Sequence, residues 1–337
     1  MHIHTHPWYH EQHHTERGFR NIWGPAQQPS FFKVIRWLLR RALKQRKHEL
    51  PPRYPLDPAT LATPPERLRI TWIGHATMLI QTPDATILTD PVFSQRASPL
   101  SFLGPARKTP PALSLDNLPP LDYVLLSHDH YDHLDADAIP RLARQHDPVF
   151  LTPLGTDAIV KQWGARQVQA LDWWQYIDLG GWRFHCTPAM HFSGRGLLNR
   201  NSTLWAGWYL ENQGHNLTIY FAGDSGYADL FSTIRERLGA PEVALLPIGA
   251  YAPRWFMEPV HMDPAQSLRA FLDLEAQHFI PTHWGTFDLA DELLQEPPAL
   301  IQHVAREHNL ADRLHVLNIG GQFSLDVQPA PLTRQHP

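Results

Sequence analysis

Between residues 68 and 126 the apolar positions fall in short runs, 68–73, 77–82, 87–89 and 123–126, with Pro83 and Asp84 as a turn between the second and third. Runs of this length, rich in Ile, Leu, Val and Thr, predict strands, and the close spacing of the first three predicts a β-meander. Beyond them strands and helices alternate. Helices are predicted near 137–145 and 156–163, and strands at 149–151, 167–170, 183–187 and 204–209. The theme then repeats with strand 217–221, helix 230–238, strand 243–246, helix 265–274, strand 278–281 and a helix near 299–307. Two clusters of strands with helices outside them predict an α/β fold of the four-layer αββα kind.

The first 66 residues follow a different pattern. Histidines at 2, 4, 6, 10, 13 and 14 beside Pro7, Pro25 and Pro29 predict a loosely draped arm, whose imidazoles read as surface groups with no fixed geometry. In 31–48 the cations Lys33, Arg36, Arg40, Arg41, Lys44, Arg46 and Lys47 interleave with Phe32, Ile35, Leu39 and Ala42, which predicts a basic amphipathic helix. Such a helix can lie on anionic lipid or pack its apolar side on the body. A proline-rich connection from Pro51 to Pro65 follows. The organisation expected is therefore an arm with helix and connection over 1–66 and a catalytic body over 67–337.

Composition narrows the class. With 43% hydrophobic residues, the 337-residue chain can bury a sizeable core. A formal net charge of −4 leaves no overall basic footprint for nucleic acid. No window approaches eighteen consecutive apolar residues and the first residues carry no apolar signal core, so the expectation is a cytoplasmic protein with at most peripheral membrane contact. The single cysteine, Cys186, excludes an internal disulfide and reads as a small buried residue.

The chemistry concentrates after the run 122–126, in Ser127-His128-Asp129-His130-Tyr131-Asp132-His133-Leu134-Asp135. A turn at the end of a strand can send His128 and His130 to one cation while Asp132 and His133 reach a second. Two cations close together can share a hydroxide and hold both the attacking and the leaving oxygen of a displacement. Further candidate ligands stand where other predicted strands end: His191 after 183–187, Asp224 after 217–221 and His283 after 278–281. One cation would take His128, His130 and His191, and the other Asp132, His133 and His283, with Asp224 bridging. Imidazoles and carboxylates without thiolates favour zinc and are compatible with manganese or iron. Two dications, two aspartates and a hydroxide leave about one positive charge, which attracts an anionic substrate. Asp132 or Asp224 would orient the hydroxide. His75, in Gly74-His75-Ala76, either hydrogen-bonds beside the metals or packs, and His261 is either a contact behind the ligands or to the leaving group, or a surface histidine.

The stretches 127–135, 223–227 and 282–287 together resemble the metallo-β-lactamase superfamily. The further segments 73–77, 88–99, 171–174 and 247–257 are similar to the family of N-acylphosphatidylethanolamine-hydrolysing phospholipases D, over roughly 19–323. This resemblance implies a metallo-β-lactamase sandwich, two zinc ions on the seven ligands above, and cleavage of an N-acylated phospholipid to phosphatidic acid and an N-acylethanolamine. It also implies a substrate-side role for His261, an acyl groove that aromatics such as Trp205, Trp255 and Phe256 would line, contact with a membrane surface, and homodimers. The arm before Phe19 and the residues 192–196 depart from the family pattern, which leaves substrate choice open. The alternatives are a broader phosphodiesterase or lactone hydrolase of the same superfamily and, in another class, a lipid-binding protein with structural metals.

Overall fold

The apolar runs build two mixed sheets of seven strands each, in a computed structural model that describes residues 2–24, 33, 36–37, 39–41, 47–100, 102–196 and 198–326. The strands are β1 (Ile3–Thr5), β2 (His14–Thr15), β3 (Gly18–Phe19), β4 (Leu68–Gly74), β5 (Thr77–Gln81), β6 (Thr86–Thr89), β7 (Tyr123–Leu125), β8 (Val149–Pro153) and β9 (Val168–Leu171). They continue with β10 (Gln175–Leu179), β11 (Trp182–Thr187), β12 (Gly207–Asn212), β13 (Leu217–Phe221), β14 (Val243–Pro247), β15 (His278–Thr282) and β16 (Gln322–Leu325). One sheet has the order β16-β4-β5-β6-β7-β8-β9 and the other β1-β10-β11-β12-β13-β14-β15, while β2 and β3 form a separate hairpin.

Period-two alternation separates two cores. From β4 to β8, Ile70, Trp72, Met78, Ile80, Ile87, Leu125 and Leu151 join one apolar cluster that extends through the second sheet. Their neighbours Ile73, Leu79, Leu88, Val124, Leu126 and Phe150 join another, with Ala138, Ile139 and Leu142 of the helix Ala138–Gln145 and Val160 of the helix Thr156–Gln162. Each strand from β4 to β8 is therefore covered on both faces, which explains its nearly unbroken apolar run. The helices Leu230–Leu238, Pro264–Asp273 and Glu296–Glu307 cover the second sheet, contributing Ile234, Leu268 and Ile301. Helix, sheet, sheet and helix make the four-layer αββα sandwich.

Strand direction then places the chemistry. β6, β7, β8 and β9 are parallel neighbours, as are β13, β14 and β15. β11 is antiparallel to β12, which is antiparallel to β13, so β11 and β13 run the same way. Loops leaving the C-terminal ends of β11, β13 and β15 thus emerge on one edge of the sandwich, where sheets of this kind place their ligands.

Some expectations are corrected. Residues 2–24 are not a loose arm: β1 pairs with β10, so the histidine-bearing segment is an edge strand of the second sheet. The strand expected at 204–209 is Gly207–Asn212, because its register is set by pairing with β11 and β13. The last helix begins at Glu296 instead of 299, since Pro297 and Pro298 occupy first-turn positions that need no N–H. Of the basic segment 31–48, Lys33, Arg36, Trp37, Leu39, Arg40 and Arg41 are helical and Lys47 and His48 are not, while the rest, Lys44 and Arg46 among them, lie outside the described residues. Trp37 packs on Phe256 and donates to Asp291, and Arg41 pairs with Asp288, so one side of this segment is docked on the body. Lys33, Arg36 and Arg40 are exposed. Among the described residues, no helix is long and apolar enough to cross a membrane.

Candidate metal centre

The motif loop leaves β7 and turns His128, His130, Asp132 and His133 toward the gap between the sheets. Asp224 reaches the same place because Gly223, at φ +60, lets the backbone pass Ser127; a Cβ there would stand 2.5 Å from the Ser127 Cβ. His75 and His283 both have positive φ, 56° and 59°, which the surrounding structure must hold against steric cost.

The donor atoms form two groups that meet at one carboxylate. His128 Nε2 lies 2.8 Å from His130 Nδ1, and His191 Nε2 lies 3.2 Å from the same atom. In the other group His283 Nε2 is 3.3 Å and His133 Nε2 is 3.5 Å from Asp132 Oδ2, with His75 Nε2 at 3.0 Å. Asp224 Oδ2 lies 3.1 Å from both His133 and His283 and 3.9 Å from His191. All seven residues expected as ligands therefore converge. His261 Nδ1 stands 3.8 Å from Asp224, at the rim of this set.

What turns the imidazole lone pairs inward is a set of hydrogen bonds behind them. The Ser127 hydroxyl donates to Asp90 at 2.6 Å and accepts from His128 Nδ1 at 2.9 Å, which leaves His128 Nε2 as the free acceptor. His133 Nδ1 donates to the same Asp90 at 2.7 Å, and His191 Nδ1 donates to the Val260 carbonyl at 2.9 Å. One buried carboxylate thus sets the tautomer of an imidazole in each group. No role was expected for Asp90; its signal in sequence is an acid closing the apolar strand β6 directly before Pro91. Two further acids of the motif shape loops instead of facing the centre. Asp129 accepts from Gly194 N, and Asp135 accepts from Phe93 N, Ser94 N and the Ser94 hydroxyl.

The site fits divalent cations. Asp224 Oδ1 and His261 Nδ1 are buried without a hydrogen-bond partner among the described residues, an arrangement costly unless something else satisfies them. Burial, reinforced by neighbouring imidazoles, holds His128 well below the ordinary histidine value, and burial lowers His130 to about 3 and His191 to about 4. Burial pushes Asp132 and Asp224 up, but the adjacent His133 and His283 outweigh it and hold both carboxyls well below their ordinary range. Neutral imidazoles and ionised carboxylates are the protonation states a cation requires. Burial lowers His133 and His283 too, yet Asp224 and Asp132 win and raise them, His283 to about 9. A cation at their Nε2 atoms would replace that proton.

The aromatic expectations divide. Trp205 is buried in the core and donates to the Ala189 carbonyl, so it lines no groove. Trp255 is 49% exposed; with Lys33, Arg36, Trp37 and Arg40 it lines a cavity of about 620 Å3, and Phe256 stacks on it. A second cavity, about 590 Å3, is lined by Tyr131 of the motif loop together with Arg195, Arg96 and Ser94.

An αββα sandwich with this centre at one edge defines a class, and the chain belongs to the metallo-β-lactamase superfamily of metal-dependent hydrolases: the β-lactamase superfamily domain matches residues 85–284. Among its relatives is an uncharacterised protein of Mycobacterium tuberculosis, 42% identical over 254 residues that cover 72% of this chain and 67% of that protein. The N-acyl-phosphatidylethanolamine-hydrolyzing phospholipase D 1 of Caenorhabditis elegans is 40% identical over 234 residues, 65% of this chain and 64% of that enzyme. The chain thus spans about two thirds of the length of each. A solved metallo hydrolase of the archaeon Ignicoccus hospitalis superposes with a TM-score of 0.58 at 25% identity, over 77% of this chain and 99% of that one.

Proposed function

We propose that the chain hydrolyses the phosphodiester of an N-acylated phospholipid, releasing phosphatidic acid and an N-acylethanolamine, with two zinc ions held by His128, His130, Asp132, His133, His191, Asp224 and His283. The observation that carries this reading is the meeting of two donor groups at Asp224, 3.1 Å from His133 and His283 and 3.9 Å from His191. Similarity to the nematode enzyme supports the choice of substrate. Two such cations supply a nucleophile from water near neutral pH and positive charge for oxygens on which negative charge grows.

The chain's own groups do the positioning. Asp132 and Asp224, both ionised, accept hydrogen bonds from the attacking water and aim it at phosphorus. As the water oxygen bonds to phosphorus, the phosphorus–oxygen bond to the acylethanolamine breaks and the departing oxygen takes the proton that the water gives up. Burial holds His261 neutral, yet a neutral imidazole still donates from one ring nitrogen, so it can bind a phosphoryl or leaving oxygen. Its Nδ1, buried and without a partner, is free to do so. His75 steadies Asp132 at 3.0 Å. The exposed Lys33, Arg36 and Arg40 beside Trp255 form the face we assign to an anionic membrane surface.

The test is product analysis by mass spectrometry after incubating zinc-loaded protein with N-acylphosphatidylethanolamine micelles, beside a chelated control. Phosphatidic acid plus N-acylethanolamine, absent with chelator, is the expected result. Intact lipid together with turnover of other phosphodiesters or of lactones would replace this substrate with the broader hydrolase.

A further inference from the structure

The arm reaches the metal centre from behind. Asp172, buried between β9 and β10, accepts the Tyr9 hydroxyl at 2.8 Å, His13 Nε2 at 2.6 Å and His14 Nε2 at 2.7 Å. The hairpin β2–β3 is thereby seated so closely on Asn201 that a Cβ on Gly18 would stand 1.9 Å from the Asn201 carbonyl, while Phe19 N donates to that same oxygen at 2.8 Å. Two residues later Asn21 lies against the segment that carries His191. Its Nδ2 donates to the His191 carbonyl at 2.9 Å, and its Oδ1 accepts from Trp205 Nε1 at 3.1 Å. Trp205 Nε1 also donates to the Ala189 carbonyl at 2.9 Å.

The stretch 189–191 is thus gripped from two sides. The body holds the imidazole through Val260 and the Met190 peptide through Ser225 and Gly226. Asn21, 170 residues away in the chain, holds the carbonyl of His191 itself. A ring held at Nδ1 alone can still swing as its backbone shifts, and a backbone held at the carbonyl prevents that. We infer that Asn21 is a positioning residue for the cation held by His128, His130 and His191, so that the histidine-rich arm is a working part of the hydrolase centre. This inference rests on the two-metal reading above.

Zinc affinity is measured by chelator competition on the full chain for the parent, Asn21→Ala, Asn21→Asp and His128→Ala, together with the melting temperature of each metal-free protein. Asn21→Asp keeps the size and the acceptor for Trp205 and replaces the donor to the His191 carbonyl with a carboxylate oxygen that repels it. In both Asn21 variants one of the two cations should bind on the order of 10-fold more weakly, the usual scale for the group behind a ligand. The second cation should bind as in the parent, while the metal-free melting temperature falls modestly for the hydrogen bond lost. Parent-like affinity for both cations in Asn21→Asp would overturn the inference, as would equal weakening of both with a lowered metal-free melting temperature. His128→Ala separates the two levels. If it keeps both cations the two-metal reading itself falls; if it loses one while the Asn21 variants keep both, the positioning role alone falls.

Discussion

Two histidine-rich regions of this molecule use the same side chains to opposite ends. At the arm, His13, His14 and Tyr9 converge on Asp172, which also accepts from Trp173 N at 2.8 Å, so four donors meet one anion at hydrogen-bond distance. At the motif loop, Asp90, the Ser127 hydroxyl and the Val260 carbonyl take up the N–H of His133, His128 and His191 from behind, and the lone pairs face one another across gaps of 2.8–3.9 Å. The first is a clasp and the second a socket. Clustering of histidine and aspartate does not distinguish them; the acceptors standing behind His128, His133 and His191 do.

The sharpest way to break the comparison is to remove a member of the socket. His128→Ala or Asp224→Ala should reduce turnover to background and lose metal at one or both positions by elemental analysis; full turnover in either variant would mean that the geometry is misread. His261 tests whether nearness to Asp224 makes a ligand. His261→Ala should lower kcat by roughly 10²-fold or more, the scale of a positioned acid–base or hydrogen-bonding group, with metal content unchanged, and loss of metal would move His261 into the socket.

On the clasp side, His13→Ala should leave two cations bound at saturating zinc and cost about 1–3 kcal/mol of stability, the penalty for leaving a buried partner unsatisfied, measured by denaturant unfolding. Bound metal falling below the parent's would make the clasp a metal site as well. Acid should act through the same carboxylate. Burial pushes Asp172 up, but hydrogen bonds from His13, Tyr9 and His14 outweigh it and hold it below the ordinary range. A carboxyl held low in the folded state adds stability that is complete above its ordinary value of about 3.9 and is lost as pH falls through its folded value. Below about pH 4 the parent should therefore lose stability with falling pH more steeply than Asp172→Asn, and parallel curves would show that the clasp is not titrating. The smallest effect belongs to the surface: reversing charge at Arg36 and Arg40 should weaken binding to anionic vesicles in a salt-sensitive way, and unchanged binding would leave that face without a membrane role.

How far each region was legible follows from how local its contacts are. The helix Ala138–Gln145 and strands β4 to β8 are written in their own apolar periods, because each buries its faces through side chains within the element. The apolar pattern predicts neither β10 nor β16. β16 alternates with exposed positions and is held by pairing with β4, some 250 positions earlier, while β10 is set between β1 and β11. Trp205 and Trp255 looked equivalent as candidate groove residues, and they differ because one indole N–H finds the Ala189 carbonyl in the core while the other ring stays half exposed.

By itself the sequence determined the chemistry: which ligand types exist, that four of them fall within six residues after a strand, and that three more follow other strands. These are properties of spacing and side-chain kind. Only the tertiary structure decided that the four loops share one edge, which imidazole nitrogen each ring presents, and that a histidine-rich arm closes on Asp172 and reaches His191 through Asn21. Those outcomes depend on hydrogen bonds between residues far apart in the chain, whose partners become neighbours only when strand direction and sheet order are set.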